Sequence, residues 1–265
     1  MRGTKKDNPG KYGKAPFNVV VIHGGPGAPG EVAPVARKLS EKFGIIEPFQ
    51  TKRSIEGQLK ELHSIITNSC KIPVKLVGYS WGAWLAFIFA SRFTDLVKKV
   101  ILIGAGSFEE RYNTDLHKIR LNRLSDNEKS EAQNLLELLN KPGYADINAT
   151  FKRFGKLMSK ADSFDSLPAE NEIIEFQPDI FQSVWKEAEE LRKSGELLEF
   201  GHKIQCPVVA IHGDYDPHPV RGVEEPLSRT LRDFRLIKLD KCGHCPWNER
   251  NAKDEFYSIL EKELV

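Results

Sequence analysis

Apolar residues in the first hundred positions follow two alternating patterns. Phe17-Asn18-Val19-Val20-Val21-Ile22 is a short, nearly continuous apolar run, which predicts a strand buried on both faces. Ile45-Ile46, Val74-Lys75-Leu76-Val77 and Val100-Ile101-Leu102-Ile103 repeat the pattern. Between these runs the spacing changes. Val32 to Lys42 has mixed helical spacing, and Ile55, Leu59, Leu62 and Ile66 fall on one helical face. Ala83 to Ala90 is apolar on every side and predicts a buried helix. The alternation predicts a parallel sheet with helices on both faces.

The pattern breaks after Gly104-Ala105-Gly106. From Ser107 to Phe200 there is no strand-like run. Ser125 and Glu128 form a capping box ahead of Leu135, Leu136, Leu138 and Leu139, and Lys141-Pro142-Gly143 ends that helix. Pro178 suits a first helical position, ahead of Phe181, Val184, Trp185, Ala188 and Leu191, with an end near Gly195. The polar stretch Ser159 to Glu172 reads as loop. Strands resume at Pro207–His212 and Phe234–Leu239, and Asn248 is placed to cap a last helix through Ala252, Phe256, Ile259 and Leu260. The expected fold is α/β: a doubly wound, mostly parallel sheet with a helical cap inserted. The core is expected at 16–106 and 201–265, the cap at 107–200, and a loose terminus at 1–15.

The chemistry centres on Gly78-Tyr79-Ser80-Trp81-Gly82, a G-x-S-x-G between a strand and a buried helix. A tight turn there holds the serine in a strained conformation with its hydroxyl clear of the sheet, and glycine at both flanks avoids a collision. Acyl transfer by serine needs a base, an acid that orients it, and donors for the oxyanion. In a parallel sheet these converge at the carboxyl ends of strands. Asp216, in the loop after Ile211, is the candidate acid; Asp214 competes but suits a turn cap. His244, after the last strand, is the candidate base. Of the other histidines, His23 suits a structural place and His212 the end of its strand. His218 stands too close to Asp216 in sequence to reach Ser80 easily, and His63, His117 and His202 read as surface residues. The backbone N–H groups of Trp81 and Gly25 are the candidate oxyanion donors, since Pro26 has none. The cap and Trp81 are expected to shape a mostly apolar pocket.

Composition narrows the choice. Net charge is +2 over 265 residues, which gives no case for nucleic acid. No apolar run approaches the roughly twenty residues of a membrane span, and the basic start lacks the apolar core of a signal peptide. Between Ala105 and Phe200, 13 lysines and arginines face 19 aspartates and glutamates, against 26 and 18 elsewhere. That is either ordinary solvated surface or an acidic roof that attracts a cationic substrate. Four cysteines without a secretory signal fit a reducing cytoplasm. Cys242 and Cys245 form a C-x-x-C, but Cys70 and Cys206 stand alone, so neither a zinc site nor a redox pair is expected, and no metal or cofactor.

With Ser80, Asp216, His244 and the glycine loop His23-Gly24-Gly25-Pro26-Gly27 assembled, the chain resembles the α/β-hydrolase superfamily over 17–104 and 201–265. The glycine loop and the elbow together resemble the proline iminopeptidase branch, which removes N-terminal residues from peptides and holds the free amine with acidic cap residues. Gly243-His244-Cys245-Pro246-Trp247-Asn248-Glu249 is similar to the G-H-x-P-x-x-E around the superfamily's catalytic histidine. The D-Q-R-G segment of that branch is replaced by Glu47-Pro48-Phe49-Gln50-Thr51-Lys52-Arg53, and there is no room for the branch's leading hairpin. The resemblance implies a serine hydrolase acting on a small ester, amide or short peptide. An aminopeptidase, a lyase on the same scaffold and a binding module without turnover stand as alternatives.

Overall fold

The computed structural model describes residues 8–113, 116–139, 141, 146–168 and 177–265. The elements run β1 (Gly10–Tyr12), β2 (Phe17–Ile22), α1 (Ala33–Leu39), β3 (Gly44–Glu47), α2 (Ile55–Ser69), β4 (Val74–Tyr79), α3 (Trp81–Arg92) and β5 (Val97–Ile103). An inserted helical stretch follows: α4 (Leu116–Asn122), α5 (Asp126–Leu139), α6 (Ile147–Ala161), α7 (Pro178–Ser194) and α8 (Glu196–Glu199). The chain closes with β6 (Val208–Gly213), α9 (Arg221–Thr230), β7 (Phe234–Leu239) and α10 (Lys253–Leu264). The seven strands order as β1-β3-β2-β4-β5-β6-β7, with only β1 antiparallel to its neighbour.

Strand alternation sorts the core into two faces. Val20, Ile22, Leu76, Val100, Leu102 and Val208 pack with α2, α3 and α9. Val19, Val21, Val77, Ile101, Ile103 and Ile211 pack with α1 and α10 on the other side. In α3 every residue but Arg92 is buried. The parallel register sets Ile22 beside Gly78 and Gly78 beside Leu102, then Ile103 beside Ile211. The carboxyl ends of β2, β4, β5 and β6 therefore finish level, and their loops open on one edge. The inserted helices reach back to that region through α7, where Trp185 stacks on Trp84 of α3 at 5.9 Å between centroids.

Several expectations need correction. The segment 1–15, read as loose, contains β1, which pairs with β3 and is fastened by the Tyr12 hydroxyl donating to Glu47 at 2.6 Å. Three residues are too few to show alternation. Asn248 lies in a 3-10 turn, and the position before α10 belongs to Ala252, with no side-chain cap. The polar stretch from Ser159 is helical as far as Ala161, the end of α6. Among the described residues α4, α6 and α9 went unread; α9 carries Pro226 in its interior. The capping box is present: Ser125 donates through Oγ and N to Glu128 Oε2 at 2.8 and 3.2 Å. Gly195 ends α7 in the left-handed conformation.

Candidate active site

Ser80 follows β4 directly and precedes α3. Its φ of 52° and ψ of −115° are a strained pair for a residue with a side chain. The turn leaves no space beside it: a Cβ at Gly78 would lie 2.2 Å from the Gly82 carbonyl oxygen, and one at Gly82 would lie 2.4 Å from that of Ile22. Both flanks must be glycine, and Ser80 Oγ projects from the carboxyl edge of the sheet.

The structure brings Ser80, His244 and Asp216 together. His244 Nε2 is 3.1 Å from Ser80 Oγ, and His244 Nδ1 is 2.7 Å from Asp216 Oδ2. With Nδ1–H donating to the carboxylate, Nε2 is left to accept from the serine hydroxyl. Asp216 Oδ1 accepts from the His218 N–H at 2.9 Å. Burial opposes the charge on Asp216, but the charge and hydrogen bond of His244 hold its carboxyl well below the usual range. Burial also presses the His244 pKa down. The charge and hydrogen bond of Asp216 outweigh it, and the pKa lies above the ordinary 6.5. Asp214, the rival acid, instead accepts from the Cys242 N–H at 3.1 Å and shapes the histidine loop. His23 is fully buried and bonds the Gly24 carbonyl at 2.7 Å.

His218 lies closer to the site than its sequence position suggested. Its ring centroid is 5.0 Å from that of His244, and burial lowers its pKa to about 3, so it stays neutral. Asp216, His218 and His244 are a set that could ligate a metal, their ligand atoms lying within 4.8 Å of one another. A metal would have to break the Asp216–His244 bond.

Trp81 is the first residue of α3, so its N–H has no acceptor within the helix and belongs to the positive end of the helix dipole. Gly25 borders the same groove as Ser80 and has a φ of 25°, which glycine tolerates. The Trp81 ring is not a groove residue. It is buried in the core, where Nε1 donates to Gln58 Oε1 at 3.2 Å. The groove over Ser80 has a volume of about 1540 Å³, and its lining is more apolar than polar with charged side chains among it, so only the expected part of Trp81 in shaping it needs correction.

Three groups were missed. Glu31, beyond the glycine loop, enters the groove and packs over Gly24, whose Cβ would come within 2.7 Å of Glu31 Oε2. Burial raises its pKa to about 7, and Oε2 has no hydrogen-bond partner among the described residues. The Arg120 guanidinium forks onto Asp162 at 2.7 and 2.8 Å, while the Asp162 carbonyl accepts the His244 N–H at 2.9 Å. Glu249 has no exposed surface, and its carboxylate accepts from the N–H groups of Phe164, Asp165 and Gly243 at 2.9, 2.8 and 3.0 Å. It ties the segment after α6 to the loop of His244. The only sequence signal for this was its place in the G-H-x-P-x-x-E pattern.

The sequence profile of the alpha/beta hydrolase fold matches residues 71–247. No curated protein matches the chain. A solved structure of a putative lipase from Acinetobacter baumannii AYE is 18% identical, with TM-score 0.65 over 96% of this chain and 87% of its own. VinJ is 17% identical, with TM-score 0.67 over 97% and 95%. A proline iminopeptidase from Mycobacterium smegmatis is 14% identical, with TM-score 0.61 over 97% and 93%.

Proposed function

The chain belongs to the family of the α/β-hydrolase fold, and from that premise we propose that it is a serine hydrolase with Ser80, His244 and Asp216 as nucleophile, base and acid. The observation that carries the reading is the continuous relay from Ser80 Oγ through His244 to Asp216 at the carboxyl edge of the sheet. Ser80 Oγ attacks the substrate carbonyl while its proton passes to His244 Nε2. Asp216 fixes the tautomer and stabilises the imidazolium that forms. The N–H groups of Trp81 and Gly25 receive the oxyanion. The intermediate collapses, His244 returns the proton to the leaving group, and an acyl-Ser80 remains. Water then attacks that ester, with His244 again the base. Side chains and backbone amides of this chain supply each step, so the proposal needs no cofactor.

The helices between β5 and β6 are assigned as a cap, 107–200, over the core formed by 16–106 and 201–265. Small esters, amides or short peptides are the substrate class. The glycine loop and elbow support a narrower reading as an aminopeptidase of the proline iminopeptidase kind. The cap acids Glu170, Glu172 and Glu175 match no amine-binding motif of that branch and lie outside the described residues. Four free cysteines support a reducing, cytoplasmic setting.

The test is a paired assay on wild type and Ser80→Ala with a short p-nitrophenyl ester and an N-terminal prolyl anilide. Ester turnover that falls about 10⁴-fold or more in the variant supports the hydrolase. Anilide cleavage abolished by N-acetylation selects the aminopeptidase. Turnover of neither substrate, with no labelling by a fluorophosphonate, would leave a binding module.

A further inference from the structure

The groove is larger than a small ester needs, since pockets for such ligands run to roughly 300–1,000 Å³. One wall of the excess is α6. The apolar side of this helix packs Leu157, Met158 and Ala161 against α5. Its other side carries Lys152, Lys156 and Lys160, four residues apart, and all three border the groove. Like charges at that spacing oppose one another and cost helix stability. The neighbouring cations of the inserted helices are neutralised: Arg153 pairs with Glu131 at 2.6 Å, Lys160 with Glu128 at 2.6 Å and Arg120 with Asp162 at 2.7 Å. Lys152 and Lys156 are exposed to the groove and have no ion pair among the described residues.

Among the described residues, the acids of the groove do not cancel this charge. Asp162 is taken up by Arg120, and Glu261 by Lys42. Glu31 lies over Gly24, and Asp254 adjoins Lys253 in sequence. Gly155 stands between Lys152 and Lys156 in sequence, also borders the groove, and a Cβ there would meet nothing within 4 Å. The two lysines thus flank open space. Glu170, Glu172 and Glu175 of the inserted segment lie outside the described residues, and the described side chains leave this wall of α6 basic.

We propose that Lys152 and Lys156 form a subsite for a carboxylate or phosphate on the substrate, away from the bond that is cut. This rests on the hydrolase reading above. The segment after α6 meets His244 at Asp162. At 1.5 Å per residue the two lysines stand about 7 and 13 Å up the helix axis from Ala161. The anion therefore lies on the order of 10 Å from the reacting carbonyl, a span of about eight bonds. The substrate class is an ester, thioester or amide with an anionic group at that distance.

The experiment compares matched pairs. One arm uses the p-nitrophenyl monoester of octanedioate against the same ester with its far carboxyl methylated. The other uses p-nitrophenyl 7-(phosphonooxy)heptanoate, whose phosphorus stands about eight bonds from the carbonyl, against its dimethyl phosphate triester. We expect kcat/KM to favour the charged member of at least one pair by about fivefold to twentyfold. Whichever arm shows the preference names the source of the anion. In the Lys152→Ala/Lys156→Ala double variant the ratio should fall to unity, with thermal melting to verify the fold. In Lys152→Glu/Lys156→Glu it should invert, and about 0.5 M sodium chloride should shrink the wild-type ratio. Equal rates within both pairs, or a preference that survives in the double variant, would overturn the subsite and leave the hydrolase intact. No turnover of any member would overturn the hydrolase reading and this inference with it.

Discussion

Replacing Glu249 with alanine removes one carboxylate and frees three backbone N–H groups at once. The three donors differ. Phe164 is 46% exposed and Asp165 partly so, and water can take over their bonds. Gly243 is buried, and a Cβ there would come 2.1 Å from the Asp162 carbonyl oxygen, so water has no route to its N–H. A hydrogen bond to a charged group contributes about 1.5–3 kcal/mol, and a stranded buried donor costs about 1–3 kcal/mol. Counting the full cost only at Gly243, and about 1 kcal/mol at each of the others, Glu249→Ala should lose about 3–5 kcal/mol. Glu249→Gln should lose less, about 1–2 kcal/mol. Its Oε1 can still accept from Phe164 and Gly243, and only Asp165 is left facing an NH₂ group.

The assay is urea denaturation followed by tryptophan fluorescence, with ester turnover on the same preparations. The Glu249 carboxylate spaces the His244 loop from the segment whose Asp162 carbonyl holds the His244 N–H. A displacement of about 1 Å there costs on the order of 10²-fold in rate. Alanine should therefore lower kcat by about that factor while glutamine retains most of it. A loss below about 1 kcal/mol for alanine, or equal losses for the two variants, would refute the account of this carboxylate as a three-way acceptor.

Other consequences can be measured directly. The acidic limb of the kcat/KM–pH profile should have its midpoint above 6.5, because Asp216 raises the His244 pKa; Asp216→Asn should move it below 6.5, burial then outweighing what Asp162 contributes, and cut kcat about 10⁴-fold. Glu31 holds its proton to about pH 7 in the fold, whereas an unfolded chain releases it near pH 4.3, so its burial costs stability as pH rises across that window. Glu31→Gln should gain about 3–4 kcal/mol near pH 8 and almost nothing near pH 4, and equal gains at both would contradict the assignment. Gly155→Ala should stabilise α6 by about 1 kcal/mol, read from urea midpoints, because the new methyl group meets nothing and alanine favours the helix.

The sheet and the serine turn were legible for one reason: both leave local signatures. Buried parallel strands such as Val19-Val20-Val21-Ile22 need no tertiary information to be seen, and the elbow needs glycine at 78 and 82 for steric reasons that act within five residues. His218 was set aside on sequence distance from Asp216, yet the turn after β6 folds it back beside His244. The inserted helices were harder. In α6 the apolar positions Phe154, Leu157 and Met158 are interrupted by lysines that face a groove rather than bulk water, and a hydrophobic pattern cannot tell those two surroundings apart. The helix α9 was hidden by Pro226, which the fold accommodates in a ten-residue helix. Glu249 and Glu31 act through backbone amides distant in sequence or folded under a loop, and no spacing rule announces such a partner.

The order of strands across the sheet also governs when the protein can first act. The strand β4 that bears Ser80 meets β6, which leads to Asp216, only through β5, and His244 arrives after the last strand. Chains fold from the N-terminus as they are made. A growing or truncated chain can therefore present the serine turn long before it possesses an acid or a base. In the proposed mechanism its hydroxyl is then an ordinary alcohol. On that proposal, the 164 positions between Ser80 and His244 keep unfinished copies harmless to the esters around them.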